Sequence, residues 1–118
     1  MLSESVREKA LELAACITQL EEYKNFLETE RELRNDEVAQ EMLVEFQQKQ
    51  QDFMMKQMSG EFDHELLSQL TEIQSKLNTR ESVVRFIDSY NKLLAVVGEI
   101  MDLISERIEL DIGEVYRR

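Results

Sequence analysis

Apolar residues recur along this chain at intervals of three and four, with polar and charged residues between them. This spacing places apolar side chains on one face of an α-helix. We find no alternation of apolar and polar residues that would indicate a strand, and no hairpin-turn signal. The chain has no proline and only three glycines, so little interrupts its helices. The pattern therefore predicts an all-α fold of about five helices.

Capping residues predict where the first two helices begin. Ser3 is a suitable N-cap for a first helix over about Glu4–Ile17, or one residue shorter. Thr18 and Glu21 then stand three residues apart, the spacing of a capping box. With Thr18 as its cap, the second helix is expected to end near Arg34.

The next two helices are predicted to form an antiparallel hairpin. Asn35 or Asp36 offers the cap of a third helix, which should reach Met58 and end near Gly60, where glycine suits a left-handed C-cap. Asp63 can cap the fourth helix. Because the connection is short, the two helices should pack side by side in opposite directions. The apolar stripe of the fourth helix is Leu66, Leu70, Ile73 and Leu77.

The fifth helix, capped by Asn78 or Thr79, has the strongest pattern. Its apolar residues are separated by four, three, four and three positions, a heptad repeat that lasts for more than three heptads. Such a helix is about 40 Å long. A domain this small buries only part of its surface, so we expect the stripe to meet a second chain in an oligomeric helical bundle. The stripe consists of Val83, Ile87, Tyr90, Leu94, Val97, Met101, Ile104 and Ile108.

Length and charge restrict the possible functions. At 118 residues the chain is expected to be a single domain over 1–118, with a tail at 111–118 that frays. The net charge of −11 would repel nucleic-acid phosphates and anionic membranes, so direct nucleic-acid binding is not expected. No apolar run is long enough to insert in a membrane, and no export signal is evident. We therefore expect a cytoplasmic protein.

Candidate chemistry is sparse. Glu61 and His64 have the Glu-x-x-His spacing of carboxylate-bridged metal bundles, but such sites need two of these motifs and two further glutamates. A solvated histidine beside a helix cap is the better interpretation. Cys16 is interpreted as a small buried or half-buried hydrophobic residue, because nothing in the sequence places His64 near its thiol. We predict no catalytic residue, metal site or cofactor.

A methionine-rich segment at the end of the third helix stands out. Methionines that are exposed can repack against varied partners. Met54, Met55 and Met58 point over a wide arc, so we assign two of them to the helix's own packing and the remainder to a contact surface. The predicted interface accordingly includes Phe53, Met54 and Met58 as well as the heptad residues of the fifth helix from Val83 to Ile104.

The order of short motifs resembles the YlbF/YmcA family of small helical bacterial proteins. The resemblance spans roughly Val6 to Leu110. Each motif is weak alone, but their order and the Lys-Gln-Met-x-Gly turn are more specific. The motifs are Glu12-Leu13-Ala14 with Ile17, Glu22–Phe26, Val38–Gln40 with Phe46, Lys56–Gly60, and Val83–Phe86 before the long last helix.

The resemblance implies a compact helical protein that forms dimers or larger assemblies and regulates without catalysis. Better-known members act with partner proteins on competence, sporulation and biofilm formation, as an accessory complex that directs the membrane-anchored endoribonuclease RNase Y. Some members carry a cysteine-rich tail linked to an iron–sulfur cluster. Cys16 is the one cysteine here, so the cluster is not carried over.

Three hypotheses follow. The first is a non-catalytic homo-oligomeric regulatory adaptor that binds itself and other proteins, with other family members or an RNase Y-type protein as partners. The second is a chaperone-like holdase, suggested by the helical hairpin and the methionine-rich helix end. The third is a metal-dependent helical-bundle enzyme built on His64 and glutamates.

Overall fold

The computed structural model describes residues 1–110, and within that range the chain is helical with short connections and no strand. The predicted all-α fold and the number of helices are confirmed. In chain order the helices are α1 (Glu4–Ile17), α2 (Glu21–Arg34), α3 (Glu37–Met58), α4 (His64–Thr79) and α5 (Glu81–Ile108). The tail expected to fray, 111–118, lies outside the described residues.

Three helices begin at the predicted caps. The Ser3 hydroxyl accepts a hydrogen bond from the backbone N–H of Val6 at 3.2 Å. The carboxylate of Asp36 accepts a hydrogen bond from the backbone N–H of Ala39 at 3.3 Å, and that of Asp63 accepts one from the backbone N–H of Leu66 at 3.0 Å. Each cap satisfies a backbone donor that the first helical turn leaves free, so these starts are encoded locally.

The predicted capping box of α2 is wrong. The Thr18 hydroxyl donates to the carbonyl oxygen of Ala15 at 2.7 Å, and the Thr18 N–H donates to that of Ala14. Thr18 therefore closes the end of α1. The carbonyl of Leu20 accepts the first bond of α2 from Lys24 at 3.1 Å, and α2 starts at Glu21.

The predicted cap of α5 is also wrong. Asn78 and Thr79 both belong to α4, and the Thr79 hydroxyl donates backward to the carbonyl of Lys76 at 3.0 Å. Arg80 has an extended backbone that separates the two helices. Its carbonyl accepts from Val84 at 2.9 Å, so Arg80 occupies the cap position of α5.

Residues 29–87 form one compact unit built on the predicted antiparallel α3–α4 hairpin. Near the turn, Lys56 donates to Asp63 at 2.7 Å, and farther along α3, Lys49 donates to Gln69 at 2.9 Å. Gly60 takes a φ of +85° in the turn, as its predicted C-cap role requires. Buried residues Ala39, Ile73, Leu77 and Val83 form the core, packed against Leu33, Met42, Leu43 and Phe46.

An ion pair fixes the start of α3 to the α4–α5 junction in the same unit. Arg80 donates through Nε and Nη2 to the two carboxylate oxygens of Asp36, both at 2.8 Å. Ser82 adds a hydrogen bond to the same carboxylate at 2.6 Å. These donors, Arg80 first, hold the pKa of Asp36 well below its ordinary value.

The second compact unit combines residues 1–28 with the chain from residue 88 onward. It contains α1, the first part of α2 and most of α5. The rings of Phe26 and Tyr90 pack at 5.9 Å between centroids, which joins α2 to α5. Both α2 and α5 contribute residues to each unit, and the single domain expected over 1–118 stays a prediction.

Candidate protein-binding surface

Helix α1 leaves its apolar face open. None of its residues is buried, and Ile17 alone is half-buried. Val6 is 53% exposed and Leu13 is 38% exposed, with Ala10 and Ala14 exposed between them. An amphipathic helix whose apolar side faces water is a candidate interaction surface. The interface predicted from the sequence did not include these residues, although their helical spacing indicates an apolar face.

The part of α5 from residue 88 onward, which belongs to the same unit as α1, has a second open face. Leu93, Val96 and Ile100 are half-buried within the chain. The heptad residues follow the adjacent row of the helix. Val97 and Met101 of that row are half-buried, whereas Tyr90, Leu94, Ile104 and Ile108 are exposed.

The heptad residues Val83 and Ile87, which belong to the unit of residues 29–87, differ in burial. Val83 is buried in the core with Ile73 and Leu77. Its side chain is thus already covered within the chain, although the heptad pattern groups it with the interface residues. Ile87 is exposed. The proposed role of the remaining interface residues stays a prediction.

All three methionines at the end of α3 are exposed. The exposed fractions are 56% for Met54, 70% for Met55 and 85% for Met58. The expectation that two of them pack within the chain is therefore wrong. Phe53 is half-buried, and its ring meets that of Phe62 edge-on at 5.4 Å between centroids. The predicted contact residues Met54 and Met58 are open to a partner, and Phe53 is partly covered.

The hairpin turn beside these methionines is held by several bonds. The Lys56 ammonium donates to Asp63, which lowers the pKa of that carboxyl and raises the pKa of the lysine. The carbonyl of Lys56 accepts from the Ser59 hydroxyl at 2.8 Å and from the Glu61 N–H at 2.9 Å. The turn is thus ordered by its own side chains.

The two residues considered for chemistry lie in ordinary surroundings. His64 is the first residue of α4, is exposed, and packs against the Phe62 ring at 4.6 Å between centroids. In residues 1–110, histidine, cysteine and carboxylate side chains do not form any group of three that could hold a metal ion. Cys16 is exposed, so its expected burial is wrong.

The described helices are neither long nor apolar enough for any of them to cross a membrane.

These features define a small all-α protein whose helices present apolar faces to solvent. Residues 6–109 match the family model described as control of competence regulator ComK, YlbF/YmcA, and the chain belongs to that family. The resemblance inferred from the sequence motifs is thereby confirmed.

Related sequences and structures agree with this assignment. A UPF0342 protein of Shouchella clausii is 28% identical over 108 residues, which cover 91% of this chain and 92% of the relative. A UPF0342 protein of Alkalihalophilus pseudofirmus is 29% identical over 113 residues, which cover 95% of this chain and 92% of the relative.

Two solved structures share the fold. RicA of Bacillus subtilis, crystallised in complex with RicF, has a TM-score of 0.83 at 22% identity, over 92% of this chain and 96% of that chain. A DUF964 protein of unknown function from Bacillus stearothermophilus has a TM-score of 0.65 at 19% identity, over 90% of this chain and 94% of that chain.

Proposed function

We propose that this protein is a non-catalytic, homo-oligomeric regulatory adaptor that acts in the cytoplasm by binding other proteins. The observation that carries the proposal is the exposure of α1. Its 14 residues include none that is buried, although Val6, Ala10, Leu13 and Ala14 form an apolar face. Leaving such a face in water is unfavourable by about 25 cal/mol for each Å² that a partner could cover.

Helix α5 supports the same proposal. Tyr90, Leu94 and Ile104 are each at least 40% exposed, in the part of the helix where Leu93, Val96 and Ile100 are half-buried. Aromatic and large aliphatic side chains of this kind are common at the centre of protein interfaces. We assign the faces of α1 and of α5 to contacts with a second copy of the chain.

The family supplies the biological setting of the proposal. Its model is described by the control of a competence regulator, and RicA was crystallised in complex with RicF. By this relationship, we propose that the chain also binds another member of its family. We further propose that such a complex acts on an RNase Y-type endoribonuclease, as implied for the family by resemblance.

Multi-angle light scattering of the purified protein tests the oligomeric part of this proposal. We expect a mass that is a multiple of 14.0 kDa at micromolar concentration. A single species at 14.0 kDa over the whole concentration range would refute it. Activity toward RNA in the absence of any partner would refute the non-catalytic part.

The exposed methionines also favour a second candidate, a chaperone-like holdase. Flexible apolar side chains can cover varied unfolded segments. The test is aggregation of a heated, unrelated enzyme, followed by light scattering with and without this protein. Suppression at stoichiometric ratios would support the holdase, and unchanged aggregation would eliminate it.

A further inference from the structure

The outer side of α3 carries a continuous face without charge. Val44, Gln47, Gln51, Met54, Met55 and Met58 fall within an arc of about 100° when successive residues are rotated by 100°. We call these six residues the methionine–glutamine face. All six are exposed. In a chain in which 33% of residues are charged, an uncharged face of this length is unusual, and depletion of charge is a mark of interface cores.

The charged residues of this stretch lie outside the face, and its lysines are paired with acceptors. Lys49 donates to Gln69 and Lys56 to Asp63, so both lysines are engaged by the α4 side of the hairpin. Glu41 and Asp52 are exposed, and their rotation about α3 places them along one border of the methionine–glutamine face. This border is therefore acidic.

The methionine end of the face adjoins an ordered turn. On another side of the same end of α3, Phe53 packs edge-on against Phe62, and Phe62 in turn packs against His64. The bonds among Lys56, Ser59, Glu61 and Asp63 fix the turn. A surface that is already ordered loses little conformational entropy when it binds, whereas the methionine side chains can still adapt to the shape of the partner.

We propose that the methionine–glutamine face binds an amphipathic helix of a partner protein, with an apolar stripe bordered by lysine or arginine. The proposal rests on the proposed adaptor function and names the partner surface for it. The apolar stripe would cover Met54, Met55 and Met58, and the basic border would lie along Glu41 and Asp52. A second copy of this chain fits poorly, because its net charge is −11. The face from Val44 to Met58 is about 21 Å long, which about 15 helical residues would match.

Fluorescence anisotropy with two designed peptides tests the proposal. One is a labelled amphipathic helix of leucine and lysine, about 18 residues long, and the other has glutamate in place of every lysine. We expect the lysine peptide to bind at micromolar concentration, less tightly as salt is raised, because the acidic border contributes. The glutamate peptide should bind at least about tenfold more weakly.

Two double variants locate the binding surface. Met55→Gln with Met58→Gln should weaken binding of the lysine peptide about tenfold, since both side chains would be covered in the complex. Glu41→Gln with Asp52→Asn should weaken it severalfold and reduce its salt dependence. Leu67→Gln with Val84→Gln changes two exposed apolar residues elsewhere and is the control for the first. Glu8→Gln with Glu28→Gln removes two exposed carboxylates from the other unit and is the control for the second.

Several outcomes would overturn the proposal. These are a lysine peptide that does not bind, equal binding of the glutamate peptide, or equal losses in the variants and their controls. A lower oligomeric mass of the Met55→Gln, Met58→Gln variant would assign the face to a second copy, which also contradicts it. Light scattering of the unaltered protein distinguishes failure of this proposal from failure of the proposed function. A monomer that binds the lysine peptide would refute only the homo-oligomer. An oligomer that does not bind the peptide would refute only the docking face.

Discussion

Arg80 and Asp36 form a two-pronged ion pair across 44 residues of sequence, with both N–O distances at 2.8 Å. Asp36 also caps α3 through the Ala39 N–H and accepts from Ser82. One carboxylate thus connects the start of α3 with the junction between α4 and α5. Bidentate pairs of this geometry are among the stronger charge-assisted hydrogen bonds.

Replacing Asp36 by alanine should therefore lower the thermal midpoint by about 5 °C or more, because the variant loses the helix cap and leaves Arg80 without this carboxylate. Circular dichroism during heating measures the midpoint. Asp88→Ala is the control, since Asp88 forms an exposed pair with Lys92 within α5. It should shift the midpoint by no more than about 1–2 °C. Equal shifts in both variants would contradict a special role of Asp36.

The same carboxylate should make stability depend on pH. The pKa of Asp36 is lowered in the folded protein, chiefly by the hydrogen bond from Arg80, from an ordinary value of 3.8. A carboxyl with a depressed folded pKa stabilises the protein fully above its unfolded pKa, and this contribution is lost as the pH falls toward the folded value. Other carboxylates titrate in the same range, so the informative quantity is the difference between the wild type and Asp36→Asn. We expect a constant difference in the thermal midpoint above about pH 5 and a shrinking one below about pH 4. A difference that stays constant down to pH 2 would contradict the assignment.

The interface assigned to α5 makes a prediction about assembly. Leu94→Asp puts a charge at an exposed position of the apolar row, so the chain should stay helical while its oligomeric mass falls. Val97 is half-buried, and Val97→Asp should also reduce helical stability. Light scattering and circular dichroism together separate the two effects. Lys92→Asp, at an exposed polar position of the same helix, is the control and should leave the mass unchanged. An unaltered mass for Leu94→Asp would remove this residue from the interface.

The hairpin core allows a test of packing. Leu77 is 6% exposed and belongs to the cluster of Ala39, Ile73 and Val83. Leu77→Ala should lower the free energy of unfolding by about 2–4 kcal/mol, because it removes buried methyl groups and leaves a cavity. Leu67→Ala changes a leucine that is 39% exposed on the same helix, and should cost about 1 kcal/mol or less. Urea denaturation compares them, and similar losses would show that the core is not where the structure places it.

The two described glycines should respond in opposite ways to alanine. Gly60 has a φ of +85°, which alanine adopts with strain, so Gly60→Ala should destabilise the protein by about 1 kcal/mol. Gly98 lies inside α5, where an added Cβ would meet no atom within 4 Å. Gly98→Ala should stabilise by about 0.5–1 kcal/mol through its higher helix propensity. Urea denaturation again measures both changes, and the same sign for both would contradict the backbone assignment.

The sequence predicted those features of the fold that depend on neighbouring residues. Caps at Ser3, Asp36 and Asp63 act over three residues, and all three were confirmed. The predicted caps of α2 and α5 were wrong because two local hydrogen bonds compete at each site. The hydroxyls of Thr18 and Thr79 donate to a preceding carbonyl instead of capping the helix that follows.

Other features depend on tertiary packing that spacing alone does not specify. The pairing of Asp36 with Arg80 brings together residues far apart in the chain, and no local pattern predicts it. The heptad repeat of α5 treats Val83 and Leu94 as equivalent. Packing separates them, because α3 and α4 cover Val83, whereas Leu94 is 48% exposed. The sequence predicted Met54 and Met58 of the methionine–glutamine face as contact residues. The exposure of the whole face depends on which side of α3 packs against α4, and spacing alone does not specify that side.

The open face of α1 also affects how this segment would behave before assembly. A helix of 14 residues is marginally stable in water without packing. Its amide hydrogens should therefore exchange rapidly in a dilute subunit and become protected as the protein concentration rises. The first turns of the chain would then serve as a built-in reporter of association, readable by hydrogen–deuterium exchange mass spectrometry without an attached probe.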